Sequence, residues 1–255
     1  MALPRRVLIT GACGNLGAKL SGHLAGRCEL VRLDRDGDGK EVVRADLATW
    51  DERWIGHFLD VNCVVHLAGN PTAADPWEKL IGPNLDAVLN VFEAAACAGV
   101  RRVIYASSNH VLGGYRDELG VVLTPDLAPR PGLRYRSGGV ERDSLAYGTS
   151  KLFGERIGRH FAEARGLEVL AVRIGWVWRG DNTPGGLPTD REEWFRQMWL
   201  SDRDFLHLME CCLEARLEQR FAVVHGMSVN RGMRWCLEAT RQLLGYQPVD
   251  GIDQA

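Results

Sequence analysis

Tyr147 and Lys151 stand four residues apart, and they are the side chains in this sequence that most directly indicate chemistry. On a helix, residues at this spacing share one face, with Cβ atoms about 5–6 Å from each other. A lysine ammonium beside a phenol favours the phenolate and lowers the phenol pKa from its usual value of about 10. Such a phenolate can act as a general base on an alcohol, while a nicotinamide takes or gives a hydride.

Two upstream segments strengthen this interpretation of a spacing that is common by chance. Ser107 and Ser108 stand in the string ASSNH, and a serine hydroxyl can hold a substrate oxygen while the tyrosine moves its proton. A glycine-rich string, TGACGNLG, occupies residues 10–17 near the start of the chain. The three segments in this order predict a site that oxidises or reduces a substrate with a dinucleotide.

The glycine string lies between a predicted strand, Arg6–Thr10, and a predicted helix, Asn15–Leu24. Gly11, Gly14 and Gly17 form the pattern G-x-x-G-x-x-G. The turn needs glycine torsions, and a backbone without side chains lets a pyrophosphate approach the N-terminus of the helix. This strand–turn–helix context predicts dinucleotide binding rather than a purely structural turn.

Asp34 ends the second predicted strand, 17 residues beyond Gly17. A carboxylate at this point accepts hydrogen bonds from a ribose 2′-hydroxyl and repels a 2′-phosphate, which favours NAD over NADP. Arg35 complicates the choice, because a neighbouring guanidinium could receive a 2′-phosphate. Asp46 and Leu47 lie where an adenine would bind in such a sheet, although Asp46 could instead cap a helix.

Strands that alternate with helices along the chain predict an α/β fold with crossover helices. We predict a single domain over 1–255 of Rossmann type, with a doubly wound parallel sheet and a small C-terminal substrate-binding portion. Residues 1–175 should form mainly the dinucleotide-binding core, and residues 176–255 mainly substrate-side helices and loops. The predicted strands are Arg6–Thr10, Glu29–Leu33, Glu41–Arg44, Cys63–Leu67, Arg102–Ser107, Leu167–Ile174 and Phe221–His225.

The predicted helices are Asn15–Leu24, Trp50–Asp60, Trp77–Gly99, Tyr147–Arg165, Glu192–Leu200, Asp204–Ala215 and Met233–Gly245. Gly82 and Pro83 should make the third of these helices irregular, because proline lacks a backbone donor. Gly113–Ala146 is rich in proline and glycine and is too long for a passive connection. It is therefore predicted to be a lid or a substrate loop.

The composition excludes several classes of protein. The chain has 255 residues, 45% hydrophobic and 25% charged, as is ordinary for a globular protein. A formal net charge of −2 gives no indication of nucleic acid or an anionic membrane as a partner. No apolar run approaches the roughly 20 residues of a membrane span. Seven cysteines without metal-type spacing indicate reduced thiols, no metal site and a cytoplasmic location.

The motifs together resemble the extended short-chain dehydrogenases/reductases, and more narrowly the uronate dehydrogenases and related NAD-dependent sugar dehydrogenases. The resemblance covers nearly the whole chain. It is carried by HLAGNP at 66–71, PW at 76–77, ASSNHVLGGY at 106–115, YGTSKLFGE at 147–155, VRIG at 172–175 and MWLSDRDF at 198–205. The nucleotide motifs belong to the whole superfamily, whereas the SSNH string and the last string are more selective.

The resemblance implies NAD-dependent oxidation of the C1 hydroxyl of a cyclic sugar to a lactone. It implies Tyr147 as the base, Lys151 as the residue that orients it, and Ser108 as the holder of the reacting oxygen. The implied substrate contacts are Thr72, Ser108, Asn109, His110, Tyr147, Trp176 and Arg196. His110 could instead be structural. The implied cofactor contacts are Gly11, Asn15, Leu16, Gly17, Asp34, Asp46, Leu47, Leu67, Ala68, Gly69, Asn84, Tyr147, Lys151 and Ile174.

The sequence departs from the family pattern on the substrate side. Uronate dehydrogenases carry a serine directly after RIG, where this chain has Trp176. The substrate arginine of the family follows the same string, and here Arg196 is preferred over Arg179 and Arg191. The loop before the tyrosine is longer and contains Arg130, Arg134 and Arg136. Arginines around a sugar pocket suit a carboxylate, phosphate or sulfonate at C6, although they could also form a solvated loop face.

The sequence thus predicts an NAD-dependent dehydrogenase of a cyclic anionic hexose: a uronate, a 6-phosphate, or a 6-sulfonate such as sulfoquinovose. One alternative is a nucleotide-sugar epimerase or dehydratase that retains its NAD, although the short C-terminal part leaves little room for a nucleoside diphosphate. A second alternative is an NAD sensor or scaffold, against which the complete serine, tyrosine and lysine set argues. The predicted partner is a small sugar, and the resemblance also allows a homo-oligomer.

Overall fold

A seven-stranded parallel sheet forms the centre of the molecule, as the predicted Rossmann-type fold requires. The computed structural model describes residues 2–189 and 192–252. The strands are β1 (Arg6–Thr10), β2 (Glu29–Asp34), β3 (Val43–Arg44), β4 (Cys63–His66), β5 (Arg102–Ser108), β6 (Arg134–Ser137), β7 (Val140–Asp143), β8 (Glu168–Ile174) and β9 (Phe221–Gly226). The sheet order is β3-β2-β1-β4-β5-β8-β9, while β6 and β7 pair separately. The winding direction changes between β1 and β4, and ligands bind at the carboxyl ends of strands at such a point.

Helices cover both faces of the sheet, as expected for a doubly wound fold. They are α1 (Asn15–Leu24), α2 (Glu52–Ile55), α3 (Trp77–Leu80), α4 (Ala87–Cys97), α5 (Leu145–Arg165), α6 (Glu193–Gln197), α7 (Asp202–Glu214) and α8 (Glu238–Leu244). Leu8 of β1 packs in the core under α4 and α5, whereas its neighbours Val7 and Ile9 pack on the α1 and α7 side. Burial of both faces explains why the strands read as continuous apolar runs.

The long helix predicted over Trp77–Gly99 is interrupted where the sequence indicated. A π-helical segment, Ile81–Asp86, separates α3 from α4 and contains Gly82 and Pro83. Its widened turn closes with a hydrogen bond from Ala87 N to the carbonyl of Gly82. Such bulges inside helices frequently occur at functional sites, and this one carries a residue that supports the cleft described below.

The segment Gly113–Ala146 contains a β-hairpin that the sequence analysis did not predict. A 3-10 segment, Asn109–Tyr115, begins directly after β5, and the antiparallel strands β6 and β7 follow later. Gly138 and Gly139 join these strands with φ angles of +57° and +75°. Two adjacent residues with positive φ form the tight turn that favours Gly-Gly, so the string SGGV was a readable hairpin signal.

The last predicted helix is shorter than expected. Met233–Gly245 was predicted to be helical, but only α8, its C-terminal half, is a helix. The preceding residues instead pair with the long loop, because Leu123 N donates to Arg234 O and Cys236 N donates to Leu123 O, each at 2.9 Å. A tertiary contact with a segment more than 100 residues earlier therefore overrides the local helical preference.

Two other helix predictions were too long. Glu192–Leu200 is helical only over α6, because Trp176 exchanges hydrogen bonds with Met198 and Leu200 and so takes the residues after α6 out of the helix. Trp50–Asp60 contains α2 and a 3-10 segment, Gly56–Phe58, that begins at a glycine. In the described parts of the chain, every helix is too short or too polar to cross a lipid bilayer.

Candidate active site

A cleft of about 900 Å³ opens at the carboxyl ends of the central strands, where the change in winding direction places it. Most residues predicted to bind cofactor or substrate line this cleft: Gly11, Asn15, Leu16, Gly17, Asp34, Asp46, Leu47, Leu67, Ala68, Gly69, Ser108, His110, Tyr147, Lys151, Ile174 and Trp176. The glycine string lies at one end and the tyrosine and serine at the other. The cleft is thus continuous from the predicted dinucleotide site to the predicted sugar site.

The glycine string lets backbone segments approach more closely than side chains would allow. Gly11 has a φ angle of +70°, and a Cβ there would lie 2.7 Å from the backbone nitrogen of Ala68. A Cβ on Gly17 would lie 2.0 Å from the carbonyl oxygen of Gly11. α1 starts directly after Gly14 with its N-terminus at the cleft. This bare backbone at a helix N-terminus fits a pyrophosphate.

Asp34 is held in place at the adenosine end by backbone donors. Its Oδ2 accepts from Cys13 N at 2.8 Å, and its Oδ1 accepts from Asp36 N at 2.9 Å. Each oxygen of an ionised carboxylate keeps further acceptor capacity, which suits ribose hydroxyls. Arg35 points its guanidinium towards Asp36, 3.9 Å away, and is largely exposed. Arg35 also lines the cleft, but its guanidinium is beside the Asp36 carboxylate, and the fixed Asp34 carboxylate fits NAD better than NADP.

Asp46 lines the cleft and also shapes its own turn. Its Oδ1 accepts a hydrogen bond from Ala48 N at 3.1 Å, and its carbonyl accepts one from Thr49 N. The alternative that Asp46 caps a helix is wrong, because α2 begins only at Glu52 and Asp46 stabilises a turn instead. The position at the cleft supports the predicted adenine contact, which this turn would hold in place.

Three residues predicted to perform the chemistry meet at the other end of the cleft. Tyr147 and Lys151 lie on α5, and Ser108 ends β5 and hydrogen-bonds to the tyrosine phenol. Lys151 Nζ donates to the carbonyl of Ala106 at 2.9 Å and lies 5.7 Å from the centre of the tyrosine ring. The strand end and the helix face therefore bring together a serine hydroxyl, a phenol and an amine.

The pKa of the tyrosine differs from the expectation drawn from sequence. Burial raises the pKa of Tyr147 to about 12, and the hydrogen bond with Ser108 only partly opposes this. Burial also lowers the pKa of Lys151 to about 8. The prediction that the lysine lowers the phenol pKa is therefore wrong for the protein alone. Desolvation disfavours the charged form of both groups, and the amine is directed to a backbone carbonyl.

His110 lies beside the phenol in a mostly buried position. Its ring meets the ring of Tyr147 edge-on, with centroids 5.5 Å apart. Its Nδ1 lies 2.8 Å from Ser144 Oγ. Burial lowers the pKa of His110 to about 4, so the imidazole is neutral at physiological pH. His110 is thus held in place by Ser144 and also lines the cleft. A structural role and a substrate contact, the two alternatives left open by the sequence, are compatible.

Three other predicted contacts do not line the cleft. Asn84 lies in the π-helical segment, where its Oδ1 accepts from Asn70 N at 2.6 Å and its Nδ2 donates to Ser150 Oγ. The Asn84 side chain thus holds the backbone of Asn70, which lines the cleft. Asn109 is buried with Nδ2 against Met227 Sδ at 3.2 Å, and Thr72 is exposed on the surface. Direct ligand contacts by these three residues stay predictions.

The arginines divide clearly by position. Arg179 lines the cleft, whereas Arg196 of α6 does not, and Arg191 lies outside the described residues. The three arginines of the long loop face elsewhere: Arg130 stacks on Tyr115, Arg134 pairs with Asp143, and the side chain of Arg136 is exposed on the hairpin. Among the arginines predicted for the substrate that the structure describes, Arg179 is the one that lines the cleft.

Sequence reasoning missed residues that shape the substrate end. Phe195 and Met198 line the cleft opposite the glycine string, and Tyr135 of the hairpin meets the phenylalanine ring edge-on at 5.1 Å. Trp176 lies 6.4 Å from the same ring. Trp176 was an implied substrate contact, but no local pattern indicated that Tyr135 and Phe195 would join it, because the three residues come from separate segments. Of the residues named here that line the cleft, Met198 is the one that stands in the selective MWLSDRDF string.

Comparisons with known proteins agree with this geometry. Residues 7–180 match the NAD dependent epimerase/dehydratase family. The chain is 36% identical over 257 residues to an NAD-dependent glucose-6-phosphate dehydrogenase of Haloferax volcanii, covering 96% of this chain and 93% of that one. It is 32% identical over 253 residues to an L-arabinose 1-dehydrogenase (NAD(P)(+)) of the same organism, covering 96% of each chain.

A solved structure is similar along nearly the whole chain. It is a mutant uronate dehydrogenase from Agrobacterium tumefaciens complexed with NAD, with a TM-score of 0.77 and 31% sequence identity. The match covers 97% of this chain and 85% of that one. These relatives confirm the NAD-dependent sugar dehydrogenase class that the motifs predicted. The chain therefore belongs to the NAD dependent epimerase/dehydratase family, among the extended short-chain dehydrogenases/reductases.

Proposed function

We propose that this protein oxidises the C1 hydroxyl of a cyclic anionic hexose to the lactone, with NAD as the hydride acceptor. The observation that carries this proposal is the contact between Ser108 and the Tyr147 phenol, with Lys151 beside them, in one cleft with the glycine string. A protein that only binds a dinucleotide needs no phenol–hydroxyl pair at the end of its cleft. A sugar hydroxyl held at this pair would have the phenol beside it as a proton acceptor. NAD bound in the same cleft would be the hydride acceptor.

Each side chain has a distinct task in this proposal. Ser108 Oγ, which accepts a hydrogen bond from His110 N at 3.2 Å, holds the sugar C1 oxygen. Tyr147 takes the hydroxyl proton from that oxygen. Because its pKa is raised by burial, the phenol needs a nearby positive charge to release its own proton first. Bound NAD would supply such a charge in its oxidised nicotinamide and would accept the hydride.

Lys151 supports this proton transfer from a fixed position. Its Nζ is anchored on the Ala106 carbonyl and lies 5.7 Å from the tyrosine ring. A lysine whose pKa is lowered to about 8 can carry a proton at neutral pH and still release it. We propose that it also holds a ribose hydroxyl of the cofactor, as its position on the cleft wall allows.

The substrate end of the cleft supports a sugar that carries an anion. The aromatic wall around Trp176 and Phe195 offers apolar surface to a sugar ring, and Arg179 offers a guanidinium at the same cleft. A charge-assisted hydrogen bond from arginine to carboxylate, phosphate or sulfonate is stronger than one between neutral groups. A uronate, a 6-phosphate and a 6-sulfonate therefore form the proposed substrate class.

The test is a panel of sugars with the purified protein and NAD, followed by NADH absorbance. Glucuronate, galacturonate, glucose 6-phosphate and sulfoquinovose form the anionic group, and glucose, galactose and L-arabinose form the neutral group. Net NADH production with at least one anionic sugar supports a dehydrogenase. Equal rates with glucose and every anionic sugar would contradict the anion preference. UDP-sugar turnover without net NADH would instead indicate the epimerase alternative.

Three coarser predictions accompany this function. A cytoplasmic location, inferred from the reduced cysteines, and a homo-oligomer, inferred from the family resemblance, remain proposals. The division into a cofactor-binding part up to residue 175 and a substrate-side part from residue 176 is also a proposal. Trp176 and Arg179 on the cleft support this division, while β9 shows that the second part also contributes to the sheet.

A further inference from the structure

Ser144 is a fully buried hydroxyl that no family motif or sequence pattern pointed to. It lies directly before α5, three residues ahead of Tyr147, and none of its surface is exposed. Its Oγ lies 2.8 Å from His110 Nδ1, 3.0 Å from Leu133 N and 3.4 Å from the carbonyl oxygen of Leu133. The hydroxyl therefore connects the start of α5, the long loop and the histidine at the cleft.

The hydrogen bonds of this hydroxyl determine where the imidazole proton lies. Leu133 N can only donate, so one lone pair of Ser144 Oγ is used to accept from it. The hydroxyl proton then has two possible acceptors, His110 Nδ1 at 2.8 Å and the Leu133 carbonyl at 3.4 Å. The shorter contact is well within hydrogen-bond range and the longer one is at its limit. If the Ser144 hydroxyl donates to His110 Nδ1, then Leu133 N, the hydroxyl and Nδ1 each have a hydrogen-bond partner.

A neutral imidazole carries one proton, so an accepting Nδ1 leaves the proton on Nε2. His110 lines the cleft and is 8% exposed. Among the described residues nothing bonds to its Nε2, and this atom is not enclosed by protein. Nε2 is thus the ring nitrogen that remains for a ligand.

We propose that Ser144 is a positioning residue that fixes the Nε2–H tautomer of His110, so that the histidine donates a hydrogen bond to a sugar oxygen. This proposal rests on the proposed function for the identity of the ligand. The edge-on contact with the Tyr147 ring holds the imidazole beside the base. The sugar oxygen that receives the Nε2–H bond is therefore oriented relative to the phenol. Without the serine hydroxyl, either tautomer could form, and a fraction of the histidines would present an acceptor instead of a donor.

The first test measures the tautomer itself and needs no substrate. Histidine is labelled with ¹⁵N, and its ring nitrogens are observed by NMR at pH 7, with His110→Gln used for assignment. The wild-type protein should show a protonated Nε2 and an unprotonated Nδ1 at His110. Ser144→Ala should shift both signals towards the average of the two tautomers. A protonated Nδ1 in the wild-type protein would overturn the proposal.

The second test is kinetic and uses the best substrate from the sugar panel. Ser144→Ala should lower kcat/KM for the sugar about five- to tenfold, the range expected for one hydrogen bond, with little change in KM for NAD. His110→Gln keeps a side-chain N–H donor but does not depend on the serine. Adding Ser144→Ala to His110→Gln should therefore cost less than about twofold more. A full additional loss would mean that the serine acts only through general stability.

Ser21→Ala is the matched control, because Ser21 is also buried but its hydroxyl has no partner in the described chain. It should leave sugar kcat/KM unchanged. If Ser144→Ala behaves like this control, the positioning role is wrong. If no sugar is oxidised by the wild-type protein, the proposed function fails, whereas the NMR result still decides the tautomer.

Discussion

Glu155 and Arg173 form an ion pair that is almost entirely excluded from solvent, with 4% and 2% of their side chains exposed. The arginine Nε and Nη2 donate to the two carboxylate oxygens, each at 2.8 Å, and Ser107 Oγ donates to Oε1 at 2.6 Å. Ser107 precedes Ser108 on β5, and Glu155 lies four residues after Lys151 on α5. The Glu155 carboxylate therefore ties α5, the helix of the proposed base, to β8 through Arg173 and to β5, the strand of the proposed substrate-holding serine, through Ser107.

Breaking this ion pair from one side should be costly. Glu155→Met leaves the Arg173 charge buried without a carboxylate, and it should lower the free energy of unfolding by about 3–5 kcal/mol. Adding Arg173→Met should recover part of that loss, because two apolar side chains of similar size need no compensation. Urea denaturation at pH 7 measures both values. Glu163→Met, from the exposed pair with Arg159 on the same helix, is the control. If Glu155→Met and Glu163→Met have the same free energy of unfolding, the buried ion pair does not contribute to stability.

Removal of the proposed base should abolish turnover without removing the cofactor. Tyr147→Phe should lower kcat roughly 10²–10⁴-fold, because general base catalysis contributes about that much. NADH titration by fluorescence should show binding close to that of the wild-type protein. Tyr115→Phe removes a phenol that bonds to the carbonyl of Ala128 outside the cleft, and it should keep normal turnover. A Tyr147→Phe enzyme with more than about a tenth of normal turnover would exclude this base.

The cofactor preference should depend on the carboxylate at the end of β2. The wild-type protein should have a higher kcat/KM with NAD than with NADP, because Asp34 accepts from ribose hydroxyls and repels a 2′-phosphate. Asp34→Ala should reduce kcat/KM with NAD and narrow the difference between the cofactors. Arg35→Ala serves as the comparison. A wild-type preference for NADP that Arg35→Ala removes would show that the arginine dominates.

The anion of the substrate should be recognised by the arginine on the cleft. Arg179→Ala should lower kcat/KM for the best anionic sugar about tenfold or more, since a charge-assisted hydrogen bond contributes roughly 1.5–3 kcal/mol. Activity on a neutral sugar should change little. Arg134→Ala removes the same charge from the hairpin surface and should be neutral. Loss in Arg196→Ala but not in Arg179→Ala would instead support the arginine preferred from sequence.

Acid should destabilise this protein through three buried histidines. Burial lowers the pKa of His66 to about 3, of His110 to about 4 and of His225 to about 3. In the unfolded chain these rings take up protons near pH 6.5. The unfolded state therefore binds more protons between about pH 6.5 and 4, and stability is lost as pH falls through that window. From pH 6.5 to 5 the loss should be roughly 5 kcal/mol, because each unfolded histidine goes from half to nearly full protonation and one full proton corresponds to about 1.4 kcal/mol per pH unit.

Urea denaturation at several pH values between 7 and 5 measures this loss. His225→Leu should remove about a third of the pH dependence, because one of three titrating rings is gone. His160→Leu alters an exposed histidine of α5 and serves as the control. Equal stability at pH 7 and pH 5 in the wild-type protein would contradict the three lowered pKa values.

Local signals in the sequence determined the fold and the cofactor end of the cleft. β1, the glycine string and α1 follow directly from apolar residues, required backbone torsions and helix periodicity, all of which are encoded within about 20 residues. The irregular helix at Gly82 and Pro83 was equally readable, because proline removes a backbone donor wherever it stands. The spacing of Tyr147 and Lys151 placed them on a common helix face, because residues four apart lie about one turn from each other.

Only the tertiary structure decided the features that depend on burial and on distant segments. Arg179, in the loop after β8, lines the cleft, whereas Arg196 on α6 does not. Which of the two reaches the cleft depends on how these segments pack on the sheet. Residues before α8 are extended because they pair with Leu123. The pKa of Tyr147 rises instead of falling because desolvation depends on everything packed around the phenol. A sequence fixes which groups are four residues apart, but the solvent around each group is set by the whole fold.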